Sequence, residues 1–380
     1  MNRLQHFVSC SGGKDSAAVM CLARERMDRR PDFRPRFQFC DTFNEDERTL
    51  AHVDYLERAL GIEIERLSAY DIPGLVDEAA FEKRKESIRR NWPKPWSETR
   101  HTADCKKRRD AIPALAPGCR HSPERAAALK AWVAACDCPV VTSPPVPDDQ
   151  IERAIKALIP SGNAFLDLCM LHGRFPSKMA KFCTKELKLF PLEATRKPLW
   201  EAGVSTVDWI GERAQESKAR AKKPVLERVP KGGAWRVQYR PIHGWNHQEV
   251  FAIAKRHGLK PNPLYLLGAS RVGCWPCINS RKAEVGIIAT QTPEKIDTLR
   301  EWERRVSLVS RRDNSESGKF ATFFSADKIP GNKGDWANSA IDNVVAWTRT
   351  SRGGRQFNLL QEIEEEGAAD TCSSEYGLCE

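Results

Sequence analysis

The sequence predicts an α/β fold whose core is a doubly wound parallel sheet. Strand-like and helix-like segments alternate through the first 65 residues, which is typical of a parallel sheet covered by helices on both faces. A loop of small residues at 11–13 separates the first strand from the first helix, a common feature of nucleotide-binding α/β folds. Because 380 residues exceed what one core usually organises, we expect added domains or insertions.

Local sequence features justify each element in order. The predicted order is strand 4–10, helix 15–27, strand 36–40, helix 47–60 and strand 62–65. The strands are apolar runs, whereas the helical segments are amphipathic or rich in strong helix formers. Gly61 ends the second helix, since glycine readily adopts the left-handed conformation found just after helices.

Four regions are predicted along the chain. The core begins with residues 1–71, is interrupted by a basic, proline-rich insertion at 72–160 and continues over 161–311. A polar extension with a mobile tail follows at 312–380. Outside the first 71 residues, regular signals occur as helix 149–158, strand 204–210, strand 235–242 and helix 246–257.

Composition predicts a globular cytoplasmic protein. Hydrophobic residues make up 41% and charged residues 29% of the chain, and no apolar run approaches the roughly 20 residues that span a bilayer. No membrane association is therefore expected. The N-terminus enters a strand directly, without the basic and apolar regions of a secretory signal. Thirteen cysteines in such a chain indicate metal ligation or thiol chemistry rather than a disulfide framework.

The net charge of +10 suits anionic partners, although basic side chains scattered over solvated helices give the same sum. The insertion concentrates basic runs around Trp92 and Trp96. These two rings could stack on the bases of a nucleic acid, or they could pack the insertion onto the core.

The loop at residues 11–16, here called the phosphate loop, is the strongest functional signal. It consists of Ser11, Gly12, Gly13, Lys14, Asp15 and Ser16. Small residues let the backbone approach an anion, and the helix that follows presents unpaired N–H groups and a positive dipole end. Lys14 adds a positive charge. The loop matches neither of the two common glycine-rich nucleotide motifs, and a plain strand-to-helix connection is the alternative.

This loop resembles the PP-loop of the superfamily of ATP pyrophosphatases and phosphoadenosine phosphosulfate (PAPS) reductases. Residues 41–45 are similar to the family's Asp-Thr-Gly-x-Glu segment after the second strand, which implies that Asp41 and Glu45 lie near the adenosine. Phe43 stands where the family has glycine. The resemblance implies a PP-loop fold, of the adenine nucleotide α-hydrolase type, and an adenine nucleotide ligand.

Further segments in the same order support this resemblance. Residues 183–192 resemble the reductases' Cys-Cys…Lys…Pro-Leu stretch, and residues 211–221 resemble their Gly-x-Arg…Ser…Arg segment. The latter implies nucleotide binding by Arg213, Ser217 and Arg220. Arginine can form forked bonds to phosphate or sulfate oxygens, although ion pairs with Glu212 or Glu216 are the alternative.

Cys274 and Cys277 form a C-x-x-C motif, whose spacing suits zinc, a redox dithiol or an iron–sulfur cluster. Cluster-bearing adenylylsulfate reductases take two further ligands from an adjacent Cys-Cys pair, of which only Cys183 is present here. Cys169 is the best further donor, in an arrangement similar to that of DNA-phosphorothioation members of the superfamily. We therefore expect a [4Fe-4S] cluster on these four cysteines, with zinc and then inert buried thiols as the alternatives.

The other cysteines carry weaker signals. Cys10, Cys21 and Cys40 fall in predicted strands and helices and are expected to be small core residues. The predicted insertion and its surroundings contain a second group, which the sequence leaves unassigned: Cys105, Cys119, Cys136 and Cys138. A second zinc-like site is possible there, but the Cys-Asp-Cys spacing is not a strong ligand pattern.

The C-terminal tail resembles the catalytic tail of PAPS reductases, Glu-Cys-Gly-(Ile/Leu)-His. Glu375, Gly377 and Leu378 repeat its framework, whereas Tyr376 stands at the cysteine position and Cys379 at the histidine position. The resemblance therefore makes Cys379, together with Lys14 and Arg213, the candidate catalytic set.

Two reactions fit these features. In a reductase, the tail thiolate would attack the sulfur of adenylyl sulfate or PAPS, and a thiol partner would then release sulfite. In an ATP pyrophosphatase, Mg²⁺ and ATP would adenylate an acceptor, for example a nucleic acid held by the insertion, and a sulfur-donor protein would supply sulfur. A nucleic-acid-binding module without catalysis is the third hypothesis.

Overall fold

The computed structural model describes residues 4–99, 101–113, 122–311, 320–332 and 337–351, except for the side chains of residues 98, 103 and 337. Cys119 and the predicted tail with Cys379 lie outside the described residues. Within the described part of the chain, no helix is both long and apolar enough to cross a membrane.

Eight strands are described: β1 Leu4–Cys10, β2 Arg36–Asp41, β3 Ile64–Ser68, β4 Trp96–Thr99, β5 Val140–Ser143, β6 Ser205–Trp209, β7 Leu226–Lys231 and β8 Ala234–Tyr239. The α-helices are α1 Lys14–Arg29, α2 Glu47–Leu60, α3 Glu78–Asn91, α4 Ala103–Asp110, α5 Pro123–Ala134, α6 Asp148–Ala157, α7 Ala164–His172, α8 Phe182–Thr184, α9 Phe190–Glu201, α10 Lys218–Ala221, α11 His247–Arg256, α12 Pro263–Leu266, α13 Lys282–Gln291, α14 Pro293–Leu308 and α15 Ile341–Thr348. Short 3₁₀ turns cover Ala69–Asp71, Ala214–Glu216 and Ala337–Ser339, and Lys185–Leu189 forms a π-helical turn.

The chain divides into two compact units, one of Met1–Glu82 with Lys156–Glu380 and the other of Lys83–Ile155. The larger unit contains a six-stranded sheet in the order β3-β2-β1-β6-β8-β7. Its neighbouring strands are parallel except for the antiparallel pair β7 and β8. The predicted α/β class is therefore confirmed, with one edge strand running against the parallel direction.

The strand order creates a crevice at the centre of the sheet. From β1 the chain winds outward to β2 and β3, and it later returns on the other side of β1 through β6 and β8. The direction of winding thus reverses between β1 and β6. In open α/β sheets, ligands bind at the carboxyl ends of the strands at such a reversal. The loops after β1 and β6 meet there.

Helices cover this sheet because their apolar sides face the strands. α1 packs on β1, α2 and α11, whereas α9 packs on β3, β6 and β8. The main core includes the α1 residues Val19 and Met20 and the α2 residue Leu56, all fully buried. Gly61 ends α2 in the left-handed conformation, as its position in the sequence predicts.

The predicted polar extension contains structure that the sequence analysis did not predict. α15 packs on α13 and α14, and its Val344 is buried, as are Phe323 and Phe324 before it. The Glu303 carboxylate on α14 accepts the backbone N–H groups of Phe323, at 2.9 Å, and Ile341, at 3.1 Å. Burial raises the pKa of Glu303 to about 7.

The smaller unit contains a two-stranded antiparallel sheet of β4 and β5, and α4 packs on α5. This unit lies within the predicted insertion at 72–160. Trp92 is buried, being only 3% exposed, so its ring is not available for stacking on a base in this structure. Trp96 lies on β4 and is partly exposed.

Candidate functional site

Hydrogen bonds within the phosphate loop fix its shape at the carboxyl end of β1. The Ser11 and Ser16 hydroxyls are 3.0 Å apart, and the Ser16 hydroxyl also donates to the Gly13 carbonyl at 3.0 Å. Gly12 has a φ of +78°, and a Cβ there would lie 2.7 Å from the Thr49 methyl carbon. Glycine is therefore required at this position both by conformation and by space.

Residues distant in sequence hold the same loop from outside. The Asn262 amide donates to the Gly12 carbonyl at 3.1 Å, and the Lys14 backbone N–H donates to the Tyr265 hydroxyl at 3.1 Å. The Lys14 ammonium lies 5.4 Å from the centre of the Tyr265 ring. The sequence analysis assigned no role to either partner, and only the structure brings them to the loop.

The β6 loop (residues 210–217) packs against the start of α1. A Cβ on Gly211 would lie 3.0 Å from the Asp15 carbonyl carbon and 3.1 Å from the Ser16 nitrogen, so only glycine allows this approach. The Arg213 guanidinium bonds the buried Asp15 carboxylate at 2.6 Å, and the Lys14 ammonium lies 3.3 Å from the same carboxylate. The structure thus joins three predicted site residues in one charged group.

The remaining predicted arginine is also held by carboxylates. Arg220 is buried, pairs with Glu216, and lies 3.7 Å from Glu212. Ser217 caps α10, because its hydroxyl accepts the Arg220 backbone N–H at 3.1 Å. Both glutamates proposed as alternative partners therefore contact Arg220, but in the interior rather than on the surface. Binding of a phosphate or sulfate by Arg213 or Arg220 stays a prediction.

The β2 loop (residues 41–45) surrounds a buried carboxylate. The Glu45 side chain accepts the Thr42 backbone N–H at 3.0 Å and the Thr42 hydroxyl at 2.7 Å. Burial raises the pKa of Glu45 to about 7. Phe43 has a φ of +62°, and its N–H donates to the Asp41 carboxylate at 2.7 Å. This left-handed backbone conformation favours glycine, the residue that the resemblance places at this position.

Three segments that carry the predicted metal-binding cysteines meet around the β2 loop. In the C-x-x-C loop (residues 273–277), the Trp275 N–H donates to the Asn44 carbonyl at 2.7 Å. Asn163, which caps the helix containing Cys169, donates to the Phe43 carbonyl at 2.7 Å. The π-helical turn after Cys183 contacts β2.

The four thiols differ in environment. Cys169 is fully buried, and burial together with the nearby Cys183 raises the pKa of its thiol well above the usual value. The other three are partly exposed. The Cys274 sulfur lies 3.7 Å from the Thr42 hydroxyl, and the Cys277 sulfur accepts the Asn279 N–H at 3.5 Å. No three of these thiols are among the described groups close enough to share one metal ion.

A cavity of about 280 Å³ lies beside the phosphate loop, between α1, α2, α11 and α12. Lys14, His52, Asn262 and Tyr265 are among its lining residues. Burial lowers the pKa of His52 to about 4, so its imidazole is neutral at pH 7. Apolar side chains and three lysines, Lys14, Lys255 and Lys260, also line this cavity.

Comparison with known proteins gives a consistent pattern. The family model of the phosphoadenosine phosphosulfate reductase domain matches residues 5–136 and 174–280. The uncharacterized 37.8 kDa protein in the gpa 5' region of Escherichia phage 186 is 37% identical over 387 residues, covering 99% of this chain and 96% of that protein.

Adenosine 5'-phosphosulfate reductases match more locally. The enzyme of Deinococcus radiodurans is 36% identical over 100 residues, covering 26% of this chain and 36% of the enzyme. The enzyme of Streptomyces coelicolor is 38% identical over 82 residues, covering 21% of this chain and 34% of the enzyme. The chain thus spans about a third of these reductases. A PAPS reductase structure from Candida auris aligns over 72% of this chain and 82% of its own, at 13% identity and a TM-score of 0.33.

Proposed function

We propose that this chain, which belongs to the phosphoadenosine phosphosulfate reductase domain family, binds an adenine nucleotide and couples it to sulfur chemistry. The observation that most directly supports this proposal is the contact between the phosphate loop and the β6 loop at the reversal point of the sheet. There, Asp15, Lys14 and Arg213 form one charged group. That crevice is where α/β sheets of this kind bind nucleotides.

In the proposed complex, the N–H groups at the start of α1 and the Lys14 ammonium hold the phosphate oxygens. Asp15 orients Lys14 and Arg213, and its negative charge offsets part of theirs until the anion binds. Asp41 and Glu45 lie at the end of the neighbouring strand, β2, and are proposed to contact the adenosine. Arg213, Ser217 and Arg220 complete the anion site from the β6 side.

We further propose that Cys169, Cys183, Cys274 and Cys277 hold a [4Fe-4S] cluster. Three observations support this set: all donors are thiols, their segments meet at one loop, and the Cys277 sulfur accepts an N–H group that would stabilise a thiolate. Zinc on the same four thiols is the alternative. When bound, a cluster would supply redox capacity near the nucleotide.

The favoured reaction is sulfonucleotide reduction. The Cys379 thiolate attacks the sulfur of adenylyl sulfate or PAPS, the bond from sulfur to the bridging phosphate oxygen breaks, and the nucleotide leaves with the electron pair. The resulting thiosulfonate on Cys379 is then attacked by a thiol reductant, which releases sulfite and forms a disulfide.

A second candidate function is ATP pyrophosphatase activity on a nucleic-acid acceptor. Tyr376 at the family's cysteine position favours it, as do the exposed basic side chains of α4 in the smaller unit: Lys106, Lys107, Arg108 and Arg109. In that case Mg²⁺ would offset the charge on the leaving pyrophosphate, and a separate donor protein would supply sulfur.

Product analysis separates the two reactions. With adenylyl sulfate or PAPS and a thiol, anaerobically purified protein should release sulfite, and the C-terminal peptide should carry one SO₃ group on Cys379 in mass spectra. Cys379→Ser should stop sulfite release without changing nucleotide affinity, whereas Cys372→Ser, the matched tail variant, should stay active.

AMP and pyrophosphate formed from ATP and Mg²⁺ would instead select the second function. Salt-dependent nucleic-acid binding without turnover would contradict both.

Metal analysis tests the cluster. Anaerobic protein should be brown and contain about four irons per chain, and Cys274→Ser or Cys277→Ser should remove the iron. Cys21→Ala is the matched control: burial raises the pKa of that thiol to about 12, so it stays protonated and its loss should leave the iron in place. Colourless protein with zinc on these four thiols would contradict the iron assignment.

A further inference from the structure

A second group of metal-ligating side chains lies in the smaller unit and consists of residues other than the cysteines assigned above. The ligand atoms of His101, Cys105, Cys136 and Cys138 all lie within 4.8 Å of one another. The Cys105 and Cys136 sulfurs are 3.6 Å apart, and the His101 Nδ1 lies 3.5 Å from the first and 3.3 Å from the second. A disulfide requires a sulfur separation of about 2.05 Å, so these thiols are not bonded to each other.

The fold brings the two halves of this group together. His101 and Cys105 flank the N-terminus of α4, just after β4. Cys136 and Cys138 lie between α5 and β5. Since β4 and β5 are antiparallel with Thr99 opposite Val140, the end of one strand meets the start of the other, and the four side chains gather there.

Few side chains are buried in the segment around this group, whereas Ile88, Trp92 and Val146 elsewhere in the same unit are buried. Among the described side chains between residues 96 and 145, only Cys105 and Cys138 are buried. α5 has no buried residue, and the exposed side chains of β5 include Val140. A segment with so few buried side chains of its own would gain stability from a metal that links its parts.

We propose that His101, Cys105, Cys136 and Cys138 bind one structural zinc ion. Tetrahedral zinc with Zn–S bonds of about 2.3 Å and Zn–N bonds of about 2.0 Å separates its ligand atoms by about 3.5–3.8 Å, close to the distances found here. Four protein ligands leave no position for water or substrate, which distinguishes a structural site from a catalytic one. Zn²⁺ with three thiolates and a neutral imidazole gives the site a net charge of −1.

Neighbouring groups support the ligands. The Thr102 backbone N–H donates to the Cys138 sulfur at 3.4 Å, as expected for a metal-bound thiolate. The Trp132 indole donates to the Cys105 carbonyl at 3.0 Å, and its ring lies 4.6 Å from the His101 ring. Trp132 thus holds in place His101 and Cys105, the two ligands at the start of α4. The ion would thereby hold α4, with its exposed basic side chains, against α5.

The test measures zinc and iron in the full-length protein. Purified without chelator, it should contain roughly one zinc per chain, and Cys136→Ser should reduce this at least tenfold while the iron content is unchanged. Conversely, Cys274→Ser should remove iron and leave the zinc, so failure of the cluster proposal and failure of this one give different results. Cys21→Ala should keep both metals.

A second variant covers the case in which Cys136→Ser does not fold. His101→Cys should still bind one zinc, and Co²⁺ in its place should give the intense visible bands of tetrahedral thiolate coordination, shifted relative to the original His-Cys₃ site. Removing zinc with a chelator should increase proteolytic cleavage within residues 96–143 selectively. Any of three results would overturn the proposal. These are an unchanged zinc content in Cys136→Ser, iron in this site, and a Cys105–Cys136 disulfide in zinc-free anaerobic protein.

Discussion

Asp208→Asn is expected to lower the free energy of unfolding by about 3–5 kcal/mol, the range for breaking a buried ion pair from one side. The Asp208 carboxylate accepts Arg196 Nε at 3.0 Å and Nη2 at 2.9 Å, and it accepts Arg236 Nε at 2.7 Å. All three side chains are at most 1% exposed. Asparagine would remove the carboxylate charge that both buried guanidinium groups share and turn an amide N–H₂ toward one of them.

Urea unfolding followed by circular dichroism measures this effect. Asp32→Asn is the matched control, because Asp32 pairs with Arg30 at 3.2 Å on the exposed surface and its loss should leave the midpoint unchanged. Equal midpoints for the two variants would mean that water reaches Asp208 and that the buried network does not hold β6 in place.

Gly211→Ala is expected to weaken nucleotide binding roughly tenfold to a hundredfold. The added methyl carbon would lie 3.0 Å from the Asp15 carbonyl carbon and 3.1 Å from the Ser16 nitrogen, both of which are backbone atoms in the first turn of α1. Relieving such overpacking costs about 1–3 kcal/mol, and moving α1 displaces the phosphate loop itself.

Calorimetric titration with adenylyl sulfate and with ATP provides the measurement. Gly244→Ala is the matched control, since a Cβ there meets nothing within 4 Å. The nucleotide affinity of this variant should equal that of the unmodified protein. An unchanged affinity in Gly211→Ala would place the nucleotide outside the crevice between β1 and β6.

Local sequence signals predicted the first βαβ elements well. The predicted strand 4–10 and helix 47–60 agree with β1 and α2, because each depends on its own periodicity and caps, such as Asp46 and Gly61. β7 and α15 were not predicted. β7 is an edge strand with alternating exposure, and α15 is a short helix whose apolar side is explained only by its packing on α13 and α14.

Residue types alone could not assign partners to the charged side chains. Arg213 was predicted to face the anion, and the structure shows that it bonds Asp15, 198 positions away in sequence. His101 carried no signal at all, and Cys136 and Cys138 carried only a weak one, because Cys136 lies 31 positions after Cys105 in the sequence. Strand pairing, which spacing cannot reveal, brings them together.

The sequence by itself determined the α/β class, the phosphate loop and the PAPS reductase family, since these depend on short patterns whose chemistry is local. Only the tertiary structure decided which charges pair, that Phe43 takes a conformation favoured by glycine, and that three cysteine-bearing segments meet at the β2 loop. The physical reason is that burial and ion pairing depend on distances between residues far apart in the chain. These distances are set by how the strands order and pair.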